Sequence, residues 1–258
     1  MKMNNLMKSV AATVILGAAF TAPTIADHHG HAIMAAIDNS DRSAEDRALD
    51  AARKPADVLM FAGISPGMKV LDINSAGGYY SELLSRSVGS EGMVYAHNGA
   101  VYWAFMKEKL HKRFENNRLE NVVHMNGGAE SVDLPASSLD AAIAVLAYHD
   151  YFMTHDARIG GPGREDVAPV LKSIYDALKP GGSFTIVDHI GAVGGGPEDF
   201  DKMHRIDPAF VQKQMEAAGF KLAGTSNKLM NDTDDPKRSP FAEDLRRKTS
   251  RFILKFVK

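Results

Sequence analysis

At 258 residues, 45% hydrophobic and 24% charged, the chain has the size and composition of a single soluble globular domain. Its 30 Lys+Arg nearly balance 32 Asp+Glu, which argues against nucleic acid as a partner. With no cysteine there is no disulfide, no thiolate metal site, no cysteine nucleophile and no lipid-bearing N-terminal cysteine.

In chain order, MKMNNLMKS carries Lys2 and Lys8, and the apolar run Val10 to Ala22 that follows is too short to span a bilayer comfortably. Pro23-Thr24-Ile25-Ala26 then supplies small residues at cleavage-determining positions. The pattern predicts a signal peptide over 1–26, with cleavage after Ala26 and export to the periplasm or medium; an uncleaved anchor is the other reading. Residues 27–42 read as a flexible polar lead-in bearing His28, His29 and His31. A histidine third from a free amine can chelate Cu(II) or Ni(II), and a disordered tail is the plainer expectation.

The single folded domain is expected over 43–258. Ser43 to Gly63 reads as a helix, with a capping signal at Ser43/Asp46 and a break or kink at Pro55. Strands are then predicted at Lys69–Ile73, Met93–Ala96, Val122–Met125, Ala141–Leu146 and Ser183–Val187. Helices are predicted at Tyr79–Val88, Val101–Phe114, Val167–Leu178 and Pro208–Ala218. Leu222–Ser226 and Arg251–Val257 finish the chain as two strands joined by a polar loop, expected to pair antiparallel. Strands regularly separated by helices imply a mostly parallel α/β sheet with helices on both faces.

Such sheets bind ligands beyond the carboxyl ends of their strands, where strand order reverses. The first candidate is the loop Asp72-Ile73-Asn74-Ser75-Ala76-Gly77-Gly78, which leads into a helix. Small residues admit a ligand to the backbone, and the helix N-terminus favours an anionic group. A tight turn with no ligand is the plain alternative. A nicotinamide site would need G-x-G-x-x-G after the strand, a spacing absent here.

These residues resemble motif I of the class I S-adenosylmethionine-dependent methyltransferases. Leu178-Lys179-Pro180-Gly181-Gly182 followed by a strand ending in Asp188 resembles the segment before their fifth strand. More narrowly, the chain is similar to secreted predicted methyltransferases of unknown substrate. That similarity rests on Arg53-Lys54-Pro55, Gly77-Gly78-Tyr79-Tyr80, Tyr148-His149-Asp150, Asp188-His189, His204-Arg205-Ile206-Asp207, Lys248-Thr249 and Arg251-Phe252. The resemblance implies a Rossmann-like seven-stranded sheet, S-adenosylmethionine as cofactor, and transfer of a methyl group to a small molecule. It also implies cofactor contacts from Asp72, Asn74, Ser75, Ala76, Gly77 and Gly78, from Asn98 toward the ribose, and from Glu130 near the adenine.

The chain departs from that pattern. The family's Gly-x-Gly-x-Gly stands here as Asn74-Ser75-Ala76-Gly77-Gly78. His97-Asn98 replaces the acidic residue that ends the second strand, and Gly128, with Glu130 nearby, replaces the one after the third. Weaker cofactor binding is expected, or a secreted binding protein that keeps the fold without efficient methyl transfer. On the acceptor side, Tyr148, His149 and Asp150 follow the fourth strand, Asp188-His189 end the fifth, and His204 precedes the last helix. His149 is the candidate base, with Asp150 orienting it, although Tyr148 could pack and His149 bond a loop. Asp207 before Pro208 reads as a helix cap. His149, His189 and His204 could converge on a metal, but their spacing demands none. The Arg53-Lys54 charges could reach the cofactor carboxylate or the acceptor, or simply form a solvated helix end.

Overall fold

The computed structural model describes residues 25–128, 132–158 and 161–258; residues 1–24 of the leader read at 1–26 lie outside them. Seven strands form one sheet in the order β3-β2-β1-β4-β5-β7-β6. They are β1 (Lys69–Ile73), β2 (Met93–Gly99), β3 (Val122–Gly127), β4 (Leu139–Val145), β5 (Leu178–His189), β6 (Lys221–Ser226) and β7 (Arg251–Val257). The first five run parallel, while β7 lies antiparallel between β5 and β6. Strand order reverses between β1 and β4, which puts the ligand crevice beyond their carboxyl ends.

Side chains alternate between two cores. Val70, Ala141 and Ile143 join Ile33, Val58, Leu59, Leu83 and Leu84 on one face. Leu71, Ile73, Ala142 and Ala144 join Leu171, Ile174, Val211 and Met215 on the other. This period of two, on strands covered on both faces, is what an apolar central strand encodes.

Several expectations are corrected at the N-terminal end. The flexible lead-in is not observed: helix α1 (Ile25–Ile37) occupies most of it. Ile33 and Ala36, three residues apart, are buried against the helices at Pro55–Ala62 and Tyr79–Val88, and the His29 ring bonds Ser65 Oγ at 3.1 Å. Residues 43–63 form two helices, α2 (Ala44–Arg53) and α3 (Pro55–Ala62). Lys54, at φ 44°, separates them, and Pro55 is tolerated because a first helical residue needs no N–H. Ser43 caps α2, accepting the Asp46 N–H at 3.1 Å.

Helices α4 (Tyr79–Val88), α5 (Ala100–Phe114), α6 (Val167–Ala177) and α8 (Pro208–Ala217) fall where the sequence places them, within a residue or so. Helix α7 (Pro197–Met203) was not anticipated. The turn expected at Lys179–Gly182 is a bulge within β5: pairing with β4 shifts from Leu139↔Leu178 to Ala141↔Ser183. Asp207 caps α8, accepting the Ala209 N–H at 2.9 Å. Among the described residues, no helix is long and apolar enough to cross a membrane.

Candidate active site

The loop after β1 takes an unusual path. Asn74 (φ 52°), Ala76 (φ 53°) and Gly78 (φ 76°) all adopt left-handed backbone, a conformation that glycine accepts freely and alanine resists. The sequence pays for two of those positions with polar side chains. Asn74 Oδ1 accepts the Gly99 N–H at 3.1 Å. Asn98 Oδ1 accepts the Ala76 N–H at 2.9 Å, and its Nδ2 donates to Ser75 Oγ at 3.2 Å and Ala76 O at 3.1 Å. Asn98 is fully buried, so its amide ties the loop to β2. The amide that the resemblance directs toward a ribose is engaged here with Ser75 and Ala76 of the loop.

Gly77 leaves room of a different kind: a Cβ there would stand 2.7 Å from Lys109 Cδ, so the lysine stem that lies across the loop would have to shift. Replacing Ala76 by glycine is expected to stabilise the fold by about 1 kcal/mol through relief of left-handed strain. Asn74→Gly is expected to cost about 1 kcal/mol by losing its bond to Gly99. Urea midpoints of the two single variants check both signs.

Asp72 is buried at the end of β1 and accepts the Ser81 O–H at 2.6 Å in the first turn of α4. Burial, opposed by the Ser81 bonds, raises its pKa to about 7. A cavity of about 190 Å³ opens over the loop, lined among others by Asp72, Asn74, Gly77, Tyr102, Lys109 and Arg53. Beyond Tyr102 lies a pocket of about 20 Å³ bounded by Asn74, Gly128 and Tyr151. Tyr102 was missed from sequence. It reaches across from α5 to donate to Asp150 Oδ2 at 2.5 Å, a long-range contact that no local pattern announces. Glu130 lies outside the described residues.

The acceptor-side candidates converge, with one exception. His149, in a 3-10 turn after β4, is buried with a carboxylate on each ring nitrogen: Asp188 Oδ1 2.7 Å from Nδ1 and Asp150 Oδ1 3.1 Å from Nε2. Asp188 Oδ2 also accepts the His149 backbone N–H at 2.9 Å. Burial opposes charge on this imidazole, yet the two carboxylates prevail and raise its pKa to about 10. His149 is therefore a fixed imidazolium with both N–H groups committed, which corrects its assignment as a base. Asp150 is held well below the ordinary carboxylate range: burial opposes ionisation, and His149, His204 and Tyr102 outweigh it.

His204 follows α7 in left-handed backbone, its Nδ1 3.5 Å from Asp150 Oδ1 and its ring against Phe241. His189 lies beside His149, ring centroids 5.9 Å apart, with Nδ1 bonded to Thr249 Oγ1 at 2.7 Å. Burial, aided by the neighbouring cations, lowers its pKa to about 4, so it is neutral at pH 7. The exception is Tyr148, whose ring is buried in the core against Tyr151 and whose hydroxyl donates to Gln214 at 3.0 Å. It packs, and its assignment to the acceptor side is corrected. His149, Asp150 and His204 present ligand atoms within 4.8 Å of one another, but both ring nitrogens of His149 already face carboxylates.

No protein-family model matches the chain. Solved structures do resemble it. A SAM-dependent methyltransferase from Aquifex aeolicus is 20% identical, with a TM-score of 0.57 over 83% of this chain and 97% of that one. An S-adenosylmethionine-dependent methyltransferase from Mesorhizobium loti is 16% identical, with a TM-score of 0.55 over 81% and 100%. Fibrillarin from Aeropyrum pernix, solved with natively bound S-adenosyl-L-methionine, is 16% identical, with a TM-score of 0.50 over 81% and 76%. Strand order, the reversal between β1 and β4 and the inserted antiparallel β7 agree with these likenesses, and the chain has the fold of the class I S-adenosylmethionine-dependent methyltransferases.

Proposed function

We propose that the chain is an S-adenosylmethionine-dependent methyltransferase acting on a small-molecule acceptor, exported under the leader read at 1–26. The observation that carries this is the cavity over Asn74–Gly77 at the strand-order reversal, with Asp150 lining the small pocket that shares Asn74 and Tyr102 with it. The residues present fit the cofactor. The Gly77 N–H has no hydrogen-bond partner among the described residues. Arg53 and Lys109 supply positive charge at the cavity wall for the cofactor carboxylate. The Tyr151 hydroxyl, buried and without a partner among the described residues, adjoins the small pocket beyond Tyr102. When bound, S-adenosylmethionine supplies an electrophilic methyl on a sulfonium.

The chain's own contribution is alignment and a fixed electrostatic frame. The loop, buttressed by Asn74 and Asn98, holds the cofactor side rigid. The imidazolium of His149 between Asp150 and Asp188 fixes the turn after β4 without exchanging protons near neutrality. An acceptor that arrives with a free lone pair needs no base from His149.

Calorimetric titration with S-adenosylmethionine and S-adenosylhomocysteine tests the reading. Binding in the micromolar range is expected. Failure of both to bind at millimolar concentration would leave the chain as a binding protein on a methyltransferase fold.

A further inference from the structure

A second cavity of about 170 Å³ adjoins the cofactor cavity, and the two share Leu49, Arg53 and Leu146 as walls. It lies beyond the ends of β4 and β5, where Leu146 and His189 line it. The polar loop between β6 and β7 closes it with Phe241, Arg246, Arg247 and Thr249, and Arg251 opens β7 beneath. Four arginines thus face one space, and none of the residues lining it is acidic.

The arginines elsewhere behave differently. Arg42, Arg113, Arg118, Arg158, Arg205 and Arg238 each lie within 4.0 Å of a carboxylate. Arg47 has none but spends its guanidinium on the carbonyls of Ser40 and Arg42. Among the described residues, Arg53, Arg246, Arg247 and Arg251 make no ion pair with a carboxylate, although acidic side chains are plentiful in the sequence. Arg251 is the telling member. It is buried, and its guanidinium bonds only the carbonyls of Ala52 at 2.6 Å and Thr249 at 3.3 Å. Burial, together with the nearby Arg53 charge, weakens its hold on its proton. A buried guanidinium without a counter-charge is costly, and a bound anion removes that cost with charge-assisted, bidentate geometry. Leu49, Ala52, Leu146, Pro240 and the Phe241 ring give the cavity apolar walls, and His189 and Thr249 complete its lining.

We propose that this cavity is the acceptor subsite and that the acceptor is a small organic anion, an apolar body of about ring size carrying a carboxylate or phosphate held by Arg246, Arg247 and Arg251. The assignment as acceptor rests on the methyltransferase reading; the anion site does not. Leu49, Arg53 and Leu146, common to both cavities, bring the body of such a ligand up to the cofactor side.

The test is calorimetric titration at low ionic strength with phenyl phosphate, benzoate and neutral benzamide, on the native chain and on R246Q/R247Q. Both substituted side chains are exposed, so the thermal midpoint of the variant should stay unchanged. The expected result is binding of both anions without binding of benzamide, weakened about tenfold or more in the variant. Tighter phenyl phosphate than benzoate would mark a phosphorylated acceptor, and the reverse a carboxylate. Anions that bind no better than benzamide, or that bind the variant as well as the native chain, would overturn the proposal. Titration with S-adenosylhomocysteine separates the two readings. If it binds while the anions do not, the anion site fails and the methyltransferase stands. If the anions bind while it does not, the acceptor assignment falls with the methyltransferase.

Discussion

Removing the His149 imidazole is expected to lower the unfolding free energy by about 3–5 kcal/mol, the usual cost of breaking a buried ion pair from one side. In His149→Ala, Asp188, fully buried, and Asp150 lose the cation between them. The pH dependence carries the signature. The His149 pKa is raised from 6.5 to about 10 in the folded protein, so between those values the folded state binds more protons than the unfolded one. Its contribution is complete below the unfolded pKa and is lost as pH rises through about 10. Asp150 acts in the opposite sense: its folded pKa is depressed, so its contribution is present above the ordinary aspartate value and fades in acid. The stability gap between native chain and variant should therefore be widest in mildly acidic solution and shrink toward both extremes. Urea denaturation from pH 4 to 10 measures this. A variant as stable as the native chain at pH 6 would show that the two carboxylates do not hold His149 as a cation and would restore it as the candidate base.

Arg205→Met should be comparably damaging. The guanidinium is fully enclosed and bonds both oxygens of Asp234, at 2.9 and 2.8 Å, as well as the carbonyls of Ile190 and Arg238. Asp234 in turn accepts the Ser250 N–H at 2.7 Å. One side chain thus joins the end of β5 to the long loop that carries Phe241, Arg246 and Arg247. A loss of about 3–5 kcal/mol is expected, or roughly 6–20 °C in thermal midpoint for a domain of this size. Arg205→Lys should recover little, because an ammonium cannot make the forked contact. The double variant R205M/D234L should recover much of the loss, since removing both charges leaves neither buried alone. Thermal melts of the three variants decide the matter. A single variant that melts with the native chain would show that the pair contributes nothing.

The legible part of the fold was the part encoded locally. The short runs Val70-Leu71-Asp72-Ile73 and 141–145, bounded by turn signals, read as buried strands, and Gly89, Pro55 and Asp207-Pro208 marked helix ends because their backbone chemistry leaves few options. Helix α1 was obscured by its histidines, although Ile33, Ala36 and Ile37 already carried helical spacing. Helix α7 offered only Pro197 and an acidic first turn after three glycines. At the site, strand-end positions correctly gathered His149, Asp150, Asp188, His189 and His204. What the sequence could not show was state. Whether His149 is a base or a cation depends on two carboxylates meeting its ring from opposite sides, one of them 39 residues away. Tyr148 and His149 are adjacent in sequence, yet one enters the core and the other the crevice. Asn98 looked like a weak ribose ligand until the left-handed Ala76 gave its amide another task.

The placement of β7 between β5 and β6 has a consequence for biosynthesis. Both neighbours leave the ribosome before it, so until residues 251–257 emerge the sheet ends at an open β5 edge and β6 has no partner. A nascent chain in that state exposes unpaired strand edges, the kind of surface that recruits other chains and aggregates. Closure of the sheet is thereby deferred until residues 251–257 have been made. Interrupting that stretch should yield insoluble protein rather than a shortened but folded domain.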